Sequence, residues 1–215
     1  MKSYLVLLGP PGAGKGTQAK MIADQLKIPH ISTGDILRES VRADSSLGRE
    51  VKAVMDKGDL VSDGLLKEIV KERLALDDCR NGFLLDGYPR NIPQSETLEE
   101  MMCGKSLWEK IFALEISVPD DEIVQRLKNR RSCPECGRVF NMISNPPAND
   151  ETCDDCSVKL VQRDDDREET VRQRLSVYHK KTEPVMSFFK DRNKLICVSG
   201  GGSPEQVLKD VMERL

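Results

Sequence analysis

A chain of 215 residues is long enough for one sizeable core with a small satellite, and short for two full domains. Its formal charge of -3, with 32% charged and 38% hydrophobic residues, fits an ordinary soluble protein and argues against a dedicated nucleic-acid binder, which carries a basic balance. No apolar run approaches the ~20 residues that span a bilayer, and the short stretch after Met1 lacks a leader's cleavage pattern, so a cytoplasmic protein away from membranes is expected.

Residues 4–8 form a short apolar run stopped by Gly9 and Pro10, as in a buried parallel strand. Within 17–26, Ala19, Ile22, Ala23 and Leu26 recur at helical spacing. A second strand is expected at 28–31, after which Ser32, Thr33, Gly34 and Asp35 offer capping chemistry for a helix from Ile36 onward. Helices follow near 47–56 and 62–74, a third strand at 82–85 ends in Asp86, a fourth lies at 111–116 and a fifth at 195–198. Helical periodicity also fills 168–189. Strands alternating with helices predict an α/β fold, a five-stranded parallel sheet with helices on both faces, right-handed crossovers and ligands at the carboxyl ends of the strands.

One stretch breaks this pattern. Over 131–162 the periodicity stops and Cys, Pro, Gly, Asn and Asp take over, too long for a structureless loop in a compact domain. Cys133 and Cys136 form one C-x-x-C pair, Cys153 and Cys156 another, with sixteen residues between them. That spacing fits a structural zinc site in which two tight turns each aim two thiolates at one ion, leaving no open coordination position. The same four thiolates suit iron or cobalt, a disulfide pairing needs an oxidising compartment, and a nucleic-acid-binding ribbon is a further reading. Cys79, Cys103 and Cys197 remain, expected as buried small hydrophobes.

Gly9-Pro10-Pro11-Gly12-Ala13-Gly14-Lys15 fits G-x-x-x-x-G-K between a strand and a helix. The backbone can curl so that N–H groups converge on phosphate oxygens, a helix N-terminus faces the same anion, and Lys15 adds a full charge. The hydroxyl comes one place later than usual, at Thr17, because Gly16 follows the lysine.

The string from Gly9 to Ala19 resembles the phosphate loop of the adenylate kinases. Ser32-Thr33-Gly34-Asp35 with Arg38, and Asp86-Gly87-Tyr88-Pro89-Arg90 with Gln94, resemble the same family in the same order. The resemblance runs nearly end to end, to the long form with an extended lid. It implies one phosphate-loop kinase core over 1–215, carrying a monophosphate-binding helical insertion at 32–61 and a zinc-ribbon-like lid at 131–162. It also implies a monomer whose partners are ATP and AMP, and reversible in-line transfer from MgATP to AMP with an arginine clamp and lid closure.

The family's site residues map onto this chain one by one. Gly12, Ala13, Gly14, Lys15, Gly16 and Thr17 would hold the ATP phosphates, with Arg126 and Arg130. Val139 and Phe140 would cover the ATP base, beside the loop at Gly202. Arg38 and Arg90 would grip the AMP phosphate, a task that suits a rigid guanidinium fork. Thr33, Gln94 and the backbone near Asp59, Leu60 and Val61 would face its adenine, next to Gly87, Tyr88 and Pro89. Arg163 and Arg174 would join Arg130 around the moving phosphoryl group, with Asp165 and Asp166 orienting them and Asp86 positioning Mg²⁺. Arg131, Arg138, Arg167 and Arg172 match no such position and are expected in solvent or beside neighbouring acids. A kinase for UMP, CMP or GMP, or one that takes GTP as donor, would keep the loop and the arginines; Thr33 and Gln94 favour AMP. A nucleotide-regulated binding module is disfavoured by Arg38 and Arg90, and by the acidic second knuckle of Asp150, Glu151, Asp154 and Asp155.

Overall fold

Strand β1 (Tyr4–Leu8) is buried along its whole length and lies in the middle of the sheet. A computed structural model describes residues 3–43, 46–149 and 151–215, so Asp150 and Met1 lie outside the described residues. Around β1 the order is β2 (His30–Ser32), β3 (Phe83–Asp86), β1, β4 (Ile111–Ser117) and β7 (Leu195–Ser199), all parallel. The chain crosses to one side of β1 and then to the other, which leaves a crevice at the carboxyl ends of the central strands.

Alternate residues of these strands feed two separate cores. Val6, Leu8, Phe83, Leu85 and Ala113 pack on one face with α2 (Thr33–Arg42), α3 (Ser46–Asp56), α4 (Asp63–Arg73), α5 (Ile92–Cys103) and α8 (Glu183–Lys190). Leu5, Leu7, Leu84, Leu114 and Ile116 pack on the other with α1 (Lys15–Leu26), α6 (Asp120–Lys128), α7 (Glu168–Val177) and α9 (Pro204–Met212). The expected five-stranded α/β architecture with helices on both faces is therefore what the chain adopts.

The departures have local causes. Strand β2 begins at His30, two residues later than expected, because Pro29 has no N–H to give the ladder. Helix α2 begins at Thr33 rather than Ile36, with Ser32 as its cap accepting from the Asp35 N–H at 3.2 Å. Helix α5 was not expected, since Gln94 and Ser95 interrupt the apolar set on its buried face; Asn91 caps it and Pro93 sits in its first turn. Helix α6, also unexpected, buries only Ile123 and Leu127. The periodic 168–189 is two helices joined by a π-helical turn at Tyr178–Thr182. Of the three spare cysteines only Cys79 is buried. Cys103 is exposed at the end of α5, and Cys197 is exposed on edge strand β7, donating to Glu115 Oε2 at 3.1 Å. Among the described residues no helix is long and apolar enough to cross a membrane.

The stretch around 131–162 folds on itself. Strands β5 (Arg130–Ser132) and β6 (Val139–Asn141) pair antiparallel, and Phe140 and Leu160 pack against the cysteines in a small core. Ser132 and Val161 exchange two backbone hydrogen bonds of 2.8 and 3.0 Å, pinching the segment where it leaves and rejoins the main body.

Candidate nucleotide site and metal centre

The loop after β1 ends at Gly14, whose φ of 90° is a left-handed conformation that a side chain would strain. Helix α1 starts there with no side-chain cap and no acid in its first turn, so its first N–H groups have no side-chain acceptor and can receive an anion. Lys15 Nζ donates to the Gly9 and Pro10 carbonyls at 2.8 Å each, folding the loop back on itself. Burial lowers the Lys15 ammonium to about pKa 8; Asp86 opposes this, and Arg90, Arg174 and Arg130 reinforce it. Thr17 is exposed, and a Cβ on Gly16 would stand 3.8 Å from Asp86 Oδ2, so the space beside that carboxylate is left clear. Arg126 ties the loop to the rest of the site by donating to the Ala13 carbonyl at 3.4 Å and the Gly200 carbonyl at 2.7 Å. Gly202 is exposed beyond that contact and does not line the cleft.

A cleft opens beside the loop, lined by Lys15, Thr33, Arg38, Asp59, Leu60, Val61, Gly87, Pro89, Arg90, Asp165 and Arg174. Gly58 shapes its wall: at φ 77° a Cβ there would lie 2.9 Å from Arg174 Cγ and 3.2 Å from the Thr170 carbonyl, so only glycine lets the turn pass. Arg90 donates through Nε to the Gly87 carbonyl at 2.7 Å, and burial, then Arg174, pulls its pKa down. Arg38 is half-buried and donates to Asp35 at 2.6 Å. Thr33 is buried and donates to the Asp86 carbonyl at 3.3 Å. Tyr88 is buried below the cleft, donating its hydroxyl to the Gln94 carbonyl at 3.1 Å. Gln94 is only 1% exposed and is absent from the lining: its Oε1 accepts from the Arg90 N–H and its Nε2 donates to Asp63 Oδ1, both at 2.7 Å.

The arginines from the lid side meet the acids at 164–166. Arg130 makes a two-pronged contact with Asp166, Nε to Oδ2 at 2.7 Å and Nη2 to Oδ1 at 2.5 Å. Arg174 reaches Asp165 Oδ2 at 2.8 Å and Asp166 Oδ1 at 3.4 Å. Burial pushes the Asp165 carboxyl up, but Arg174, Arg130 and Arg163 outweigh it and hold it below the usual range. Among the described residues Arg163 has no carboxylate within ion-pair distance; it donates to Ser132 Oγ at 2.8 Å, and burial beside Arg130 and Arg38 lowers it to about pKa 10. The other arginines look outward: Arg138 pairs with Asp155, Arg167 with Asp164 and Arg172 with Glu168, while Arg131 donates to backbone carbonyls. Asp166 is fully buried under Arg130 and Arg174, so Asp166→Asn should destabilise the chain by about 2–3 kcal/mol, because two half-buried cations lose their shared, buried counter-charge. Chemical denaturation measures this; a change below 0.5 kcal/mol contradicts it.

Tyr178 and Thr182, in the π-helical turn, also line the cleft, and Thr182 Oγ1 donates to the Arg90 carbonyl at 2.8 Å. His30 stands with Nε2 3.6 Å from Asp86 Oδ2. No motif marks these residues, because they reach the site through the packing of distant elements. On β6 the two expected base-covering residues point opposite ways: Val139 is exposed, while Phe140 is 1% exposed in the lid core with Arg138 stacked 4.9 Å over its ring.

The four lid cysteines converge. Their sulfurs all lie within 4.8 Å of one another, with Cys136 and Cys153 3.7 Å apart. A tetrahedral ion with metal–sulfur bonds of about 2.3 Å spaces its ligands about 3.8 Å apart, so the cluster fits a four-thiolate metal. The two turns match: the Gly137 N–H donates to the Cys133 carbonyl, and the Ser157 N–H to the Cys153 carbonyl, at 3.1 and 2.8 Å. These cysteines can hold a metal ion.

A glycine loop running into an uncapped helix, at the carboxyl edge of a parallel sheet and facing clustered cations, places the molecule among the phosphate-loop α/β proteins that handle nucleotide phosphates. The family model for adenylate kinase matches residues 7–194. An adenylate kinase of Thermotoga neapolitana is 51% identical over 214 residues, covering 99% of this chain and 97% of the relative. Adenylate kinases of Caldicellulosiruptor bescii and Methanocella arvoryzae are 48% and 47% identical, each with at least 95% of both chains covered. The chain belongs to the adenylate kinase family, and is by class a nucleoside monophosphate kinase.

Proposed function

We propose that this chain catalyses reversible transfer of the terminal phosphoryl group of MgATP to AMP, giving two ADP. The observation that carries the reading is the charge of the cleft: Lys15, Arg38, Arg90, Arg130, Arg163 and Arg174 gather from six separate stretches around Asp86, Asp165 and Asp166. Burial holds Lys15, Arg90, Arg163 and Arg174 below their ordinary pKa values, the mark of a cluster built to receive anions. Two nucleotides supply that charge.

Phosphoryl transfer needs alignment and charge neutralisation more than covalent help. In this reading Gly12, Ala13, Gly14, Gly16 and Thr17 cradle the ATP phosphates with the α1 N-terminus, Lys15 leaves its carbonyl partners for the outer phosphates, and Arg126 braces the loop. Arg38 and Arg90 grip the AMP phosphate; Thr33, Gln94 and the backbone of Asp59, Leu60 and Val61 frame its base beside Gly87, Tyr88 and Pro89. An AMP phosphate oxygen then bonds to the γ-phosphorus while the bond to the β,γ-bridging oxygen breaks, and that oxygen leaves with ADP. Arg130, Arg163 and Arg174 neutralise the group in transit, oriented by Asp165 and Asp166. Mg²⁺ arrives with ATP and supplies further neutralisation; the Asp86 carboxylate, beside the clear space at Gly16, is suited to hold such a hard cation.

Segments 32–61 and 131–162 are the parts we assign to closure, the second carrying Val139 toward the donor base, near Gly202, and shutting out competing water. Structural Zn²⁺ is the ion we assign to Cys133, Cys136, Cys153 and Cys156, since four thiolates in a closed tetrahedron suit it. Replacing Arg90 with Ala should raise the KM for AMP by about 30- to 160-fold with little change in the KM for MgATP, a charged phosphate contact being worth about 2–3 kcal/mol. An unmoved AMP dependence would refute that placement.

The experiment that tests the reading is a coupled assay of ADP formation from MgATP with AMP, UMP, CMP and GMP offered separately. Strong selection of AMP supports it. Preference for another monophosphate overturns the base-pocket assignment, and no transfer to any of them overturns the function.

A further inference from the structure

The Gln94 side chain can make its two known bonds in only one orientation. A backbone N–H can only donate and a carboxylate can only accept. The Arg90 N–H therefore demands the amide oxygen, and Asp63 demands the amide nitrogen, each at 2.7 Å. Rotating the amide by half a turn would set N–H against N–H and oxygen against carboxylate, in a side chain that is 1% exposed. Each such buried mismatch costs about 1–3 kcal/mol.

Asp63 holds the neighbourhood as well as the amide. Both its oxygens accept from Asn91 Nδ2, at 2.9 and 3.2 Å, while Asn91 Oδ1 accepts from the Gln94 N–H at 2.9 Å to cap α5. One carboxylate on the first turn of α4 thus fixes the backbone start and the side-chain polarity of Gln94, across 31 residues of sequence.

We propose that Asp63 is a positioning residue that sets acceptor selectivity: it locks the Gln94 amide in the polarity that suits a 6-aminopurine and refuses a 6-oxopurine. The proposal rests on the reading that Gln94 faces the acceptor base. With two bonds made, the amide keeps one N–H and one oxygen lone pair for a ligand. Adenine offers an amino donor at position 6 and an acceptor at N1; hypoxanthine and guanine offer the reverse, an O6 acceptor and an N1–H donor. A flipped amide would exchange the two groups, so an enzyme with a free Gln94 would read both kinds of purine. The locked one reads one.

The test compares kcat/KM for AMP and for IMP, MgATP being the donor, in the full-length protein and its Asp63→Ala, Asp63→Asn and Gln94→Leu variants. Asp63 is exposed, and its replacements leave the core untouched. The AMP/IMP ratio should fall at least tenfold in Asp63→Ala, and in the same direction in Asp63→Asn, whose amide can turn with its partner. The KM for MgATP should hold, and the melting temperature should fall by no more than a few degrees, the scale of one lost partner for a buried amide. If the ratio stays put in both Asp63 variants while Gln94→Leu loses AMP selectivity, the lock is wrong and the base contact stands. If Gln94→Leu also leaves AMP use unchanged, the base contact itself is wrong, and the lock goes with it.

Discussion

Replacing Lys15 with methionine should slow phosphoryl transfer by a thousandfold or more and leave the fold intact. Removing one preorganised donor from developing charge costs about a hundred- to a thousandfold, and Lys15 brings a full charge as well as a donor. The same substitution should raise stability at neutral pH. Burial lowers the Lys15 ammonium from its ordinary pKa of 10.5 to about 8, so below pH 8 the folded protein carries the whole cost of holding that charge in a crowded, cationic place. Between pH 8 and 10.5 the unfolded chain binds the extra proton, native stability climbs, and the cost is gone above 10.5. The methionine variant should therefore be more stable at pH 7 by about 2 kcal/mol, discounting the full shift for the partial exposure of the side chain, and the gain should shrink toward zero by pH 10.5. Steady-state kinetics with thermal melts across pH measure both. A near-normal rate would sink the loop assignment, and a gain that grew with pH would contradict the electrostatics.

The second large effect belongs to the lid. Changing Cys153 and Cys156 to Ser should take bound metal from one ion per chain to near none. Such small units depend on the ion for folding energy, with apparent values of about 10–16 kcal/mol in isolated zinc peptides. Only part of that reaches the whole molecule, because the main cores fold around the other strands; a fall of about 10 °C in melting temperature is the expected scale. The KM for AMP should move far less, since Arg38, Arg90 and Thr33 lie outside 131–162. Metal analysis that still finds one ion per chain would remove the four-thiolate site.

How much of this was legible in the sequence depended on how local the signal was. The glycine loop, the Asp86 to Arg90 string and the paired C-x-x-C turns are short, and each carries its own chemistry, so they stood out before any fold was known. The sheet was readable because its central strands β1 and β3 are buried on both faces and so nearly unbroken in their apolar character. Helix α5 hid because Gln94 and Ser95 are polar residues that it buries. Phe140, which the resemblance matches to a position over the ATP base, packs in the lid's own small core, because that segment has few other apolar residues to bury. The Asp63–Gln94 contact, the Thr182 contact to Arg90 and the His30–Asp86 approach were out of reach, since each joins residues from different elements.

The pinch between Ser132 and Val161 has a consequence for how such a molecule can change. Because departing and returning chain are bonded to each other at one point, most of what lies beyond it is a cassette; Asn141 and Met142, which donate to the Arg126 and Asn129 carbonyls at 3.2 and 2.9 Å, tie its near end to the main body, and the metal-bearing remainder can vary in length and composition. The two ends stay together however the interior is rewritten, and the entropic cost of a longer interior grows only slowly with its length. A four-thiolate staple is then one of several interchangeable ways to stiffen the cassette, and exchanging it should redesign the lid without redesigning the enzyme.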